Sequence, residues 1–200
     1  MLKIGVTGPI GCGKSTVARW LGERAGVRVI DADHEARLVL APGSAEVEAV
    51  YTRFGGTLRR PNGELDRSAL GRIVFTDAEA LRDLEAIVHP AVRPRILAAI
   101  ERAEEAGARA VVIEAIKLVE GGLAEVCDEV WLIGCDPEVQ RDRLIERGDP
   151  SEDATARIDA QGDLVERLRG AATRVVETSG DPTSTHAEVD RLLDEALARA

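Results

Sequence analysis

The sequence predicts a three-layer α/β fold on a five-stranded parallel sheet, and three observations carry that expectation. Five short apolar runs, at 3–7, 27–30, 110–114, 129–134 and 174–177, alternate with helical patterns, as βαβ units require. Each run is apolar on both faces or nearly so, which suits strands buried between two helical layers. The first run also enters a glycine-rich turn with a helical pattern directly behind it.

The helices can be placed in order. Val17, Trp20 and Leu21 keep helical spacing after the glycine-rich turn. The interval from 34 to 108 is far longer than one crossover needs; it reads as mostly helical, with a turn at Arg60-Pro61-Asn62-Gly63. Within it, Thr76-Asp77-Ala78-Glu79 has the form of a capping box opening a helix that carries Leu81, Leu84 and Val88. That helix is expected to stop or kink at His89-Pro90, because proline disfavours a helical residue before it. Asp136-Pro137-Glu138 and Asp149-Pro150-Ser151-Glu152 are two further start signals. The last helix is expected to open at Thr185-His186-Ala187-Glu188 and to bury Val189, Leu192, Leu193, Ala196 and Leu197. The 200 residues therefore read as one domain: a core of 1–33, 109–139 and 171–200, a helical insert at 34–108, and a short charged insert at 140–170.

Composition narrows the function. An apolar content of 44% supports a globular core without staples. No window offers the roughly 18 apolar residues of a membrane span, and the first residues lack the length of a signal peptide. The formal charge of −10 argues against a broad nucleic-acid or acidic-membrane surface. Cys12, Cys127 and Cys135 are odd in number and lack metal-ligand spacing, so free thiols in a reducing compartment are expected. A cytoplasmic protein with no membrane and no nucleic-acid partner is the reading.

Gly8-Pro9-Ile10-Gly11-Cys12-Gly13-Lys14-Ser15 matches the Walker A pattern in the strand–turn–helix setting that gives it meaning. Glycines at 8, 11 and 13 let successive amide N–H groups turn inward, and the helix start adds its positive end. Lys14 then reaches the β- and γ-phosphates of ATP, and the Ser15 hydroxyl is placed to ligate Mg²⁺. The motif makes the fold a three-layer P-loop NTPase fold. Pro9 removes a donor only at the outer rim. Cys12 stands where a helix start lowers a thiol pKa; oxidation or alkylation of the empty protein there is one reading, and simple replacement of a serine is the other.

A phosphate loop leaves kinases, GTPases and motor-type ATPases open. The only asparagine, Asn62, is followed by Gly63, so the Asn-Lys-x-Asp segment that reads guanine is missing. Asp31 and Asp33 follow the second strand, whose carboxyl end lies on the same sheet edge as the phosphate loop. A carboxylate there can orient and deprotonate an attacking hydroxyl, or it can cap the next helix.

Beyond this point the chain resembles the dephospho-CoA kinase family along nearly its whole length. The resemblance rests on the phosphate loop with Ser15-Thr16, Val29-Ile30-Asp31-Ala32-Asp33 with Arg37, and Ala41-Pro42-Gly43. It continues through the segment from Leu65 to Phe75, Ile87-Val88-His89-Pro90, Leu118-Val119-Glu120 and Gln140-x-x-Arg143-Leu144-x-x-Arg147. It implies that ATP phosphorylates the ribose 3′-hydroxyl of dephospho-CoA, the final step of coenzyme A synthesis. It implies Asp33 as base, with Lys14 and Arg143 in the chemistry, and Gly8, Gly11, Cys12, Gly13, Lys14, Ser15, Thr16 and Arg147 around ATP. Asp33, Arg37, His89, Pro90 and Arg93 would hold the acceptor, though His89 serves equally as a helix-end residue. The 34–108 insert would be the CoA-binding part and 140–170 a small lid, on a monomer or weak homo-oligomer. Arg143 and Arg147 are four apart, so on a helix they share one face and can converge on the γ-phosphate. Two segments depart from the family: Glu114-Ala115-Ile116-Lys117-Leu118 replaces a Pro-Leu-Leu type run, and Val176-Glu177-Thr178-Ser179-Gly180 replaces an Asp-Asn segment near the adenine. Lys117 then either meets a substrate phosphate or faces solvent.

Overall fold

The computed structural model describes every residue except Asp149. Five strands, β1 (Leu2–Thr7), β2 (Val27–Asp31), β3 (Ala110–Glu114), β4 (Glu129–Gly134) and β5 (Arg174–Glu177), form one parallel sheet in the order β2-β3-β1-β4-β5. All five runs anticipated from the sequence are strands, β1 gaining Leu2 and β2 gaining Asp31. The order carries the consequence: β3 lies between β1 and β2. One row of the register therefore reads Asp31, Glu114, Val6, Trp131 and Arg174 across the sheet.

The nine α-helices among the described residues are α1 (Lys14–Glu23), α2 (Ala32–Val39), α3 (Ala45–Phe54), α4 (Arg67–Val74), α5 (Ala78–Glu105), α6 (Pro137–Glu146), α7 (Ser151–Gln161), α8 (Leu164–Arg169) and α9 (Pro182–Leu197). Along β4, successive side chains serve opposite faces. Trp131 and Ile133 join a core with Ile4, Val6, Val17, Leu21, Val189 and Leu193, filled by α1 and α9. Leu132 points the other way, to Leu164 and Leu168 of α8. Helices on both faces of the sheet make the three layers.

The chain divides into two compact units, one of Met1–Asp31 with Ile100–Ala200 and one of Ala32–Ala99. The first holds the sheet, α1, the end of α5 and α6 to α9. The second holds α2, α3, α4 and most of α5, with a turn at 60–63 closed by Gly63 N donating to Arg60 O at 2.9 Å and Arg60 N donating to Glu64 O at 2.8 Å.

Three local readings need correction. The helix through His89-Pro90 does not stop there: α5 runs 28 residues with Pro90 and Pro94 inside it. Each proline removes one i→i−4 hydrogen bond. Both prolines are solvent-exposed and four apart, so the freed carbonyls lie along one wet side of the helix. The opposite stripe, Val88, Val92, Ile96, Ile100 and Ala103, is buried, and that packing carries the helix through. Its cap is not Thr76, whose hydroxyl donates back to Arg72 O at 2.9 Å. Asp77 caps instead, accepting from Glu79 N at 2.8 Å and Ala80 N at 3.2 Å. Finally, α9 opens at Pro182 rather than Thr185, because Asp181 accepts from Ser184 N at 2.9 Å. The start signal at 149–152 includes Asp149, outside the described residues; α7 begins just after it, with Pro150 as its N-cap.

One polar cluster beside the Trp131 core is energetically exposed to change. Arg174 makes a two-pronged contact with Glu129, Nε to Oε2 at 2.6 Å and Nη2 to Oε1 at 3.0 Å, and Trp131 Nε1 donates to the same carboxylate at 2.7 Å. Both charged side chains are mostly enclosed, at 11% and 15% exposure. Burial pushes the Glu129 carboxyl up, but the hydrogen bonds from Arg174 and Trp131 outweigh it and leave its pKa lowered. Glu129→Ala removes the two-pronged partner and leaves Arg174 only its 3.2 Å contact with Glu195, so it should cost about 2 kcal/mol at neutral pH. A carboxyl whose folded pKa is depressed stabilises above its unfolded pKa and loses that contribution as pH falls through the folded one. Thermal unfolding should therefore show the gap between wild type and Glu129→Gln narrowing below about pH 4. A gap that stays constant down to pH 3 contradicts the assignment.

Candidate active site

The phosphate loop leaves β1 at Thr7 and enters α1 at Lys14. Gly13, the N-cap, is left-handed with φ of 84°, a conformation that costs a glycine little. Lys14 is 7% exposed and folds over the loop, its Nζ donating to Pro9 O at 2.9 Å. The loop is thus held closed by its own lysine, with the ammonium inside the curl where phosphates are expected. Pro9 gives up a donor but supplies that acceptor carbonyl. Ser15, at the exposed first turn of α1, donates through Oγ to Glu114 Oε1 at 2.5 Å. Glu114 ends β3, the strand next to β1, so this carboxylate is brought to the phosphate edge by strand order.

Two glutamines clamp the loop from outside. Gln140 Nε2 of α6 donates to Ile10 O at 2.7 Å, and Ile10 N donates to Gln161 Oε1 of α7 at 2.9 Å. Residues of the 140–170 segment therefore hold both the amide and the carbonyl of one loop residue.

Thr178, after β5, is the other anchor. It is 6% exposed. Its hydroxyl lies 2.8 Å from Cys12 O and 3.1 Å from Gly134 O, and its one proton is shared between them. Arg143 donates to the same hydroxyl at 3.1 Å and to Thr178 O at 2.6 Å. That places the guanidinium beside the loop, since a Cβ on Gly13 would sit 3.7 Å from Arg143 Nη1. The segment that departs from the family's Asp-Asn run thus ties the loop, the end of β4 and an arginine together.

Cys12 is fully buried, so alkylation requires the loop to open. A hydrogen bond from the Cys135 thiol lowers its pKa most, burial raises it, and the Lys14 ammonium lowers it further. Cys135 is pushed up correspondingly by giving that hydrogen bond and by burial. Cys127 is pushed up to about 12 by burial, an inert thiol.

The remaining sequence-derived candidates fall as follows. Gly8 and Gly11 are buried in the loop, and Thr16 is partly buried in α1. Arg147 is the exposed C-cap of α6, one turn past Arg143; no polar contact of its side chain occurs among the described residues. Asp33 stands in the first turn of α2, two residues beyond β2, and Arg37 in its last turn. His89, Pro90 and Arg93 occupy the middle of α5. His89 is therefore not a helix-end residue. Burial and Glu120 act in opposite directions on Lys117, and burial prevails, lowering its pKa. Glu114, Gln140, Gln161 and Thr178 contact the loop or its first helical turn and were not among the sequence-derived site candidates. Glu114 had one legible signal, its position at the carboxyl end of a parallel strand.

Comparison with known proteins agrees with this geometry. The dephospho-CoA kinase family model matches residues 2–183. A dephospho-CoA kinase of Symbiobacterium thermophilum is 45% identical over 94% of this chain and 78% of its own. A solved structure from Thermus thermophilus superimposes with a TM-score of 0.79 at 35% identity, covering 99% of this chain and 97% of that one. A dephospho-CoA kinase structure from Campylobacter jejuni gives a TM-score of 0.69 at 28% identity, covering 96% of each chain.

Proposed function

The chain belongs to the dephospho-CoA kinase family, whose members use ATP to phosphorylate the ribose 3′-hydroxyl of dephospho-CoA, and from that membership we propose how its own residues divide the work. The observation that carries the reading is the closed phosphate cradle: Lys14 buried inside a strand–turn–helix loop with Ser15 and Glu114 in contact at its mouth. Loop amides and Lys14 bind the β- and γ-phosphates, aided by the α1 N-terminus.

Asp33 is the proposed base. It takes the proton of the 3′-hydroxyl as that oxygen bonds to the γ-phosphorus, while the bond from phosphorus to the bridging oxygen of ADP breaks. Arg37, His89, Pro90 and Arg93 are proposed to hold the acceptor, residues 34–108 to form the CoA-binding part, and 140–170 to act as a lid. The clamp of Gln140 and Gln161 on Ile10 supports the lid reading, since it links that segment to the phosphate loop. Thr16 and Arg147 are proposed around ATP. The three unpaired cysteines suit a reducing cytoplasm, and none of the described helices is long and apolar enough to cross a membrane.

The Ser15 hydroxyl and the Glu114 carboxylate are oxygen donors 2.5 Å apart, a pair suited to a hard divalent cation. They would hold Mg²⁺, which when bound neutralises charge on the phosphate oxygens.

Arg143 is proposed to stabilise charge developing on the γ-phosphoryl group. Its position beside Gly13, fixed by Thr178, supports this. Arg143→Ala should lower kcat about 100-fold and leave the ATP KM within about threefold. A normal kcat would remove Arg143 from the chemistry. The function itself is tested by coupled ADP release with dephospho-CoA, adenosine or AMP as acceptor. Turnover should be strongest with dephospho-CoA; equal or better turnover with AMP would point to a nucleotide kinase of the same fold.

A further inference from the structure

The second unit contains a cleft of about 310 Å³ lined by Arg37, Leu40, Pro42, Arg60, Leu65 and Arg67, with Glu64 at its side. Every lining residue belongs to that unit, so the cleft exists whatever the unit's neighbours do. The end of α2 and the Ala41-Pro42-Gly43 bend form one wall. The other is the 59–65 turn, pinned by the bridge between Arg59 and Leu65 and by Asp66 N donating to Leu58 O at 2.8 Å.

Its charge is the unusual feature. Three arginines and one glutamate line it, formally 3 − 1 = +2, on a chain whose net charge is −10. Arg60 is partly neutralised by Asp66 at 3.2 Å. Arg37 and Arg67 are not: Arg67 Nη2 donates to the backbone carbonyl of Arg37 at 2.9 Å, and neither guanidinium forms an ion pair among the described residues. Burial and the nearby Arg37 charge both hold the Arg67 pKa below its usual value. The two cations repel each other across the cleft, and Glu64 is the carboxylate that offsets part of this at Arg67. An anion that bridges them converts repulsion into charge-assisted hydrogen bonds, and planar guanidinium forks match phosphate oxygens two at a time. The volume is at the low end for small-ligand sites, ~300–1,000 Å³, which suits one portion of a larger molecule. Leu40, Pro42 and Leu65 give that portion an apolar flank.

We propose that Arg37, Arg60 and Arg67 form the subsite for the diphosphate linkage of the acceptor, the apolar flank receiving the chain attached to it. The proposal rests on dephospho-CoA being the acceptor, and it makes Arg67 and Arg60 acceptor-specificity residues alongside Arg37. The bound group is an organic diphosphate; ATP also carries one, so the test separates the two.

Steady-state kinetics of wild type, Arg67→Ala and Arg67→Lys, with dephospho-CoA and ATP varied separately, decide it. Arg67→Ala should raise the dephospho-CoA KM about 30-fold, the range of one or two charge-assisted hydrogen bonds, with the ATP KM within twofold. Arg67→Lys keeps the charge but loses the fork and should raise the dephospho-CoA KM about fivefold. It also serves as the deciding variant if Arg67→Ala fails to fold by circular dichroism. The wild-type dephospho-CoA KM should rise with salt more steeply than that of the variants. An unchanged dephospho-CoA KM in the folded variants, or an equal rise in the ATP KM, overturns the subsite. A wild type that turns over no dephospho-CoA at all would instead overturn the function on which it rests.

Discussion

Asp33→Asn should lower kcat with dephospho-CoA about 10³-fold while the Kd for ATP, measured by equilibrium titration, stays within about twofold. General-base catalysis is worth ~10²–10⁴-fold, and asparagine keeps the shape of aspartate while losing the ability to take a proton. The competing role is structural. Asp33 lies in the first turn of α2, where a negative charge complements the helix N-terminus. Turnover separates the two roles: loss of a dipole partner alone leaves kcat near that of wild type, whereas loss of a base lowers it. Turnover within a few-fold of wild type in Asp33→Asn would assign the base elsewhere, Asp31 being the first alternative.

Gly8→Ala should unfold the phosphate loop's seating. Gly8 has φ of 145°, and a Cβ there would lie 2.1 Å from the backbone carbonyl oxygen of Ile133, with Ile133 C and N at 3.1 and 3.2 Å. The obstacle is backbone in the middle of the sheet, between β1 and β5, and cannot swing aside as a side chain would. Overpacking and the unfavourable φ together should cost about 3 kcal/mol, a Tm drop of roughly 9 °C for a chain this long. Because the loop must lift off β4 to relieve the clash, ATP affinity should fall at least tenfold. Gly56→Ala is the control: it meets nothing within 4 Å and has no positive φ, so Tm should move by less than about 2 °C. Gly8→Ala with wild-type Tm and ATP affinity would mean the loop does not rest on Ile133.

The strands were legible because a buried parallel strand announces itself as a short apolar run, and five such runs separate cleanly here. Helix boundaries were legible where a cap stands alone, as at Asp136-Pro137, and misread where two candidate caps adjoin. Thr76 looked like the cap of α5, but its hydroxyl turned back to α4 and left Asp77 to do it. Pro90 read as a stop or a kink because proline disfavours a helical residue before it, and the stop does not occur. The buried stripe from Val88 to Ala103 is spread over four turns, and its packing outweighs that local preference.

The site divides along the same physical line. By itself the sequence determined the phosphate loop with Lys14 and Ser15, because their chemistry depends on residues close in the chain. Only the tertiary structure decided that β3 lies next to β1, and with it that Glu114 meets Ser15. It alone brought Thr178, 166 residues from Cys12, to hold the loop and Arg143 together. Strand order and long-range hydrogen bonds depend on which surfaces pack most favourably across the whole core, and no local pattern of residues encodes that.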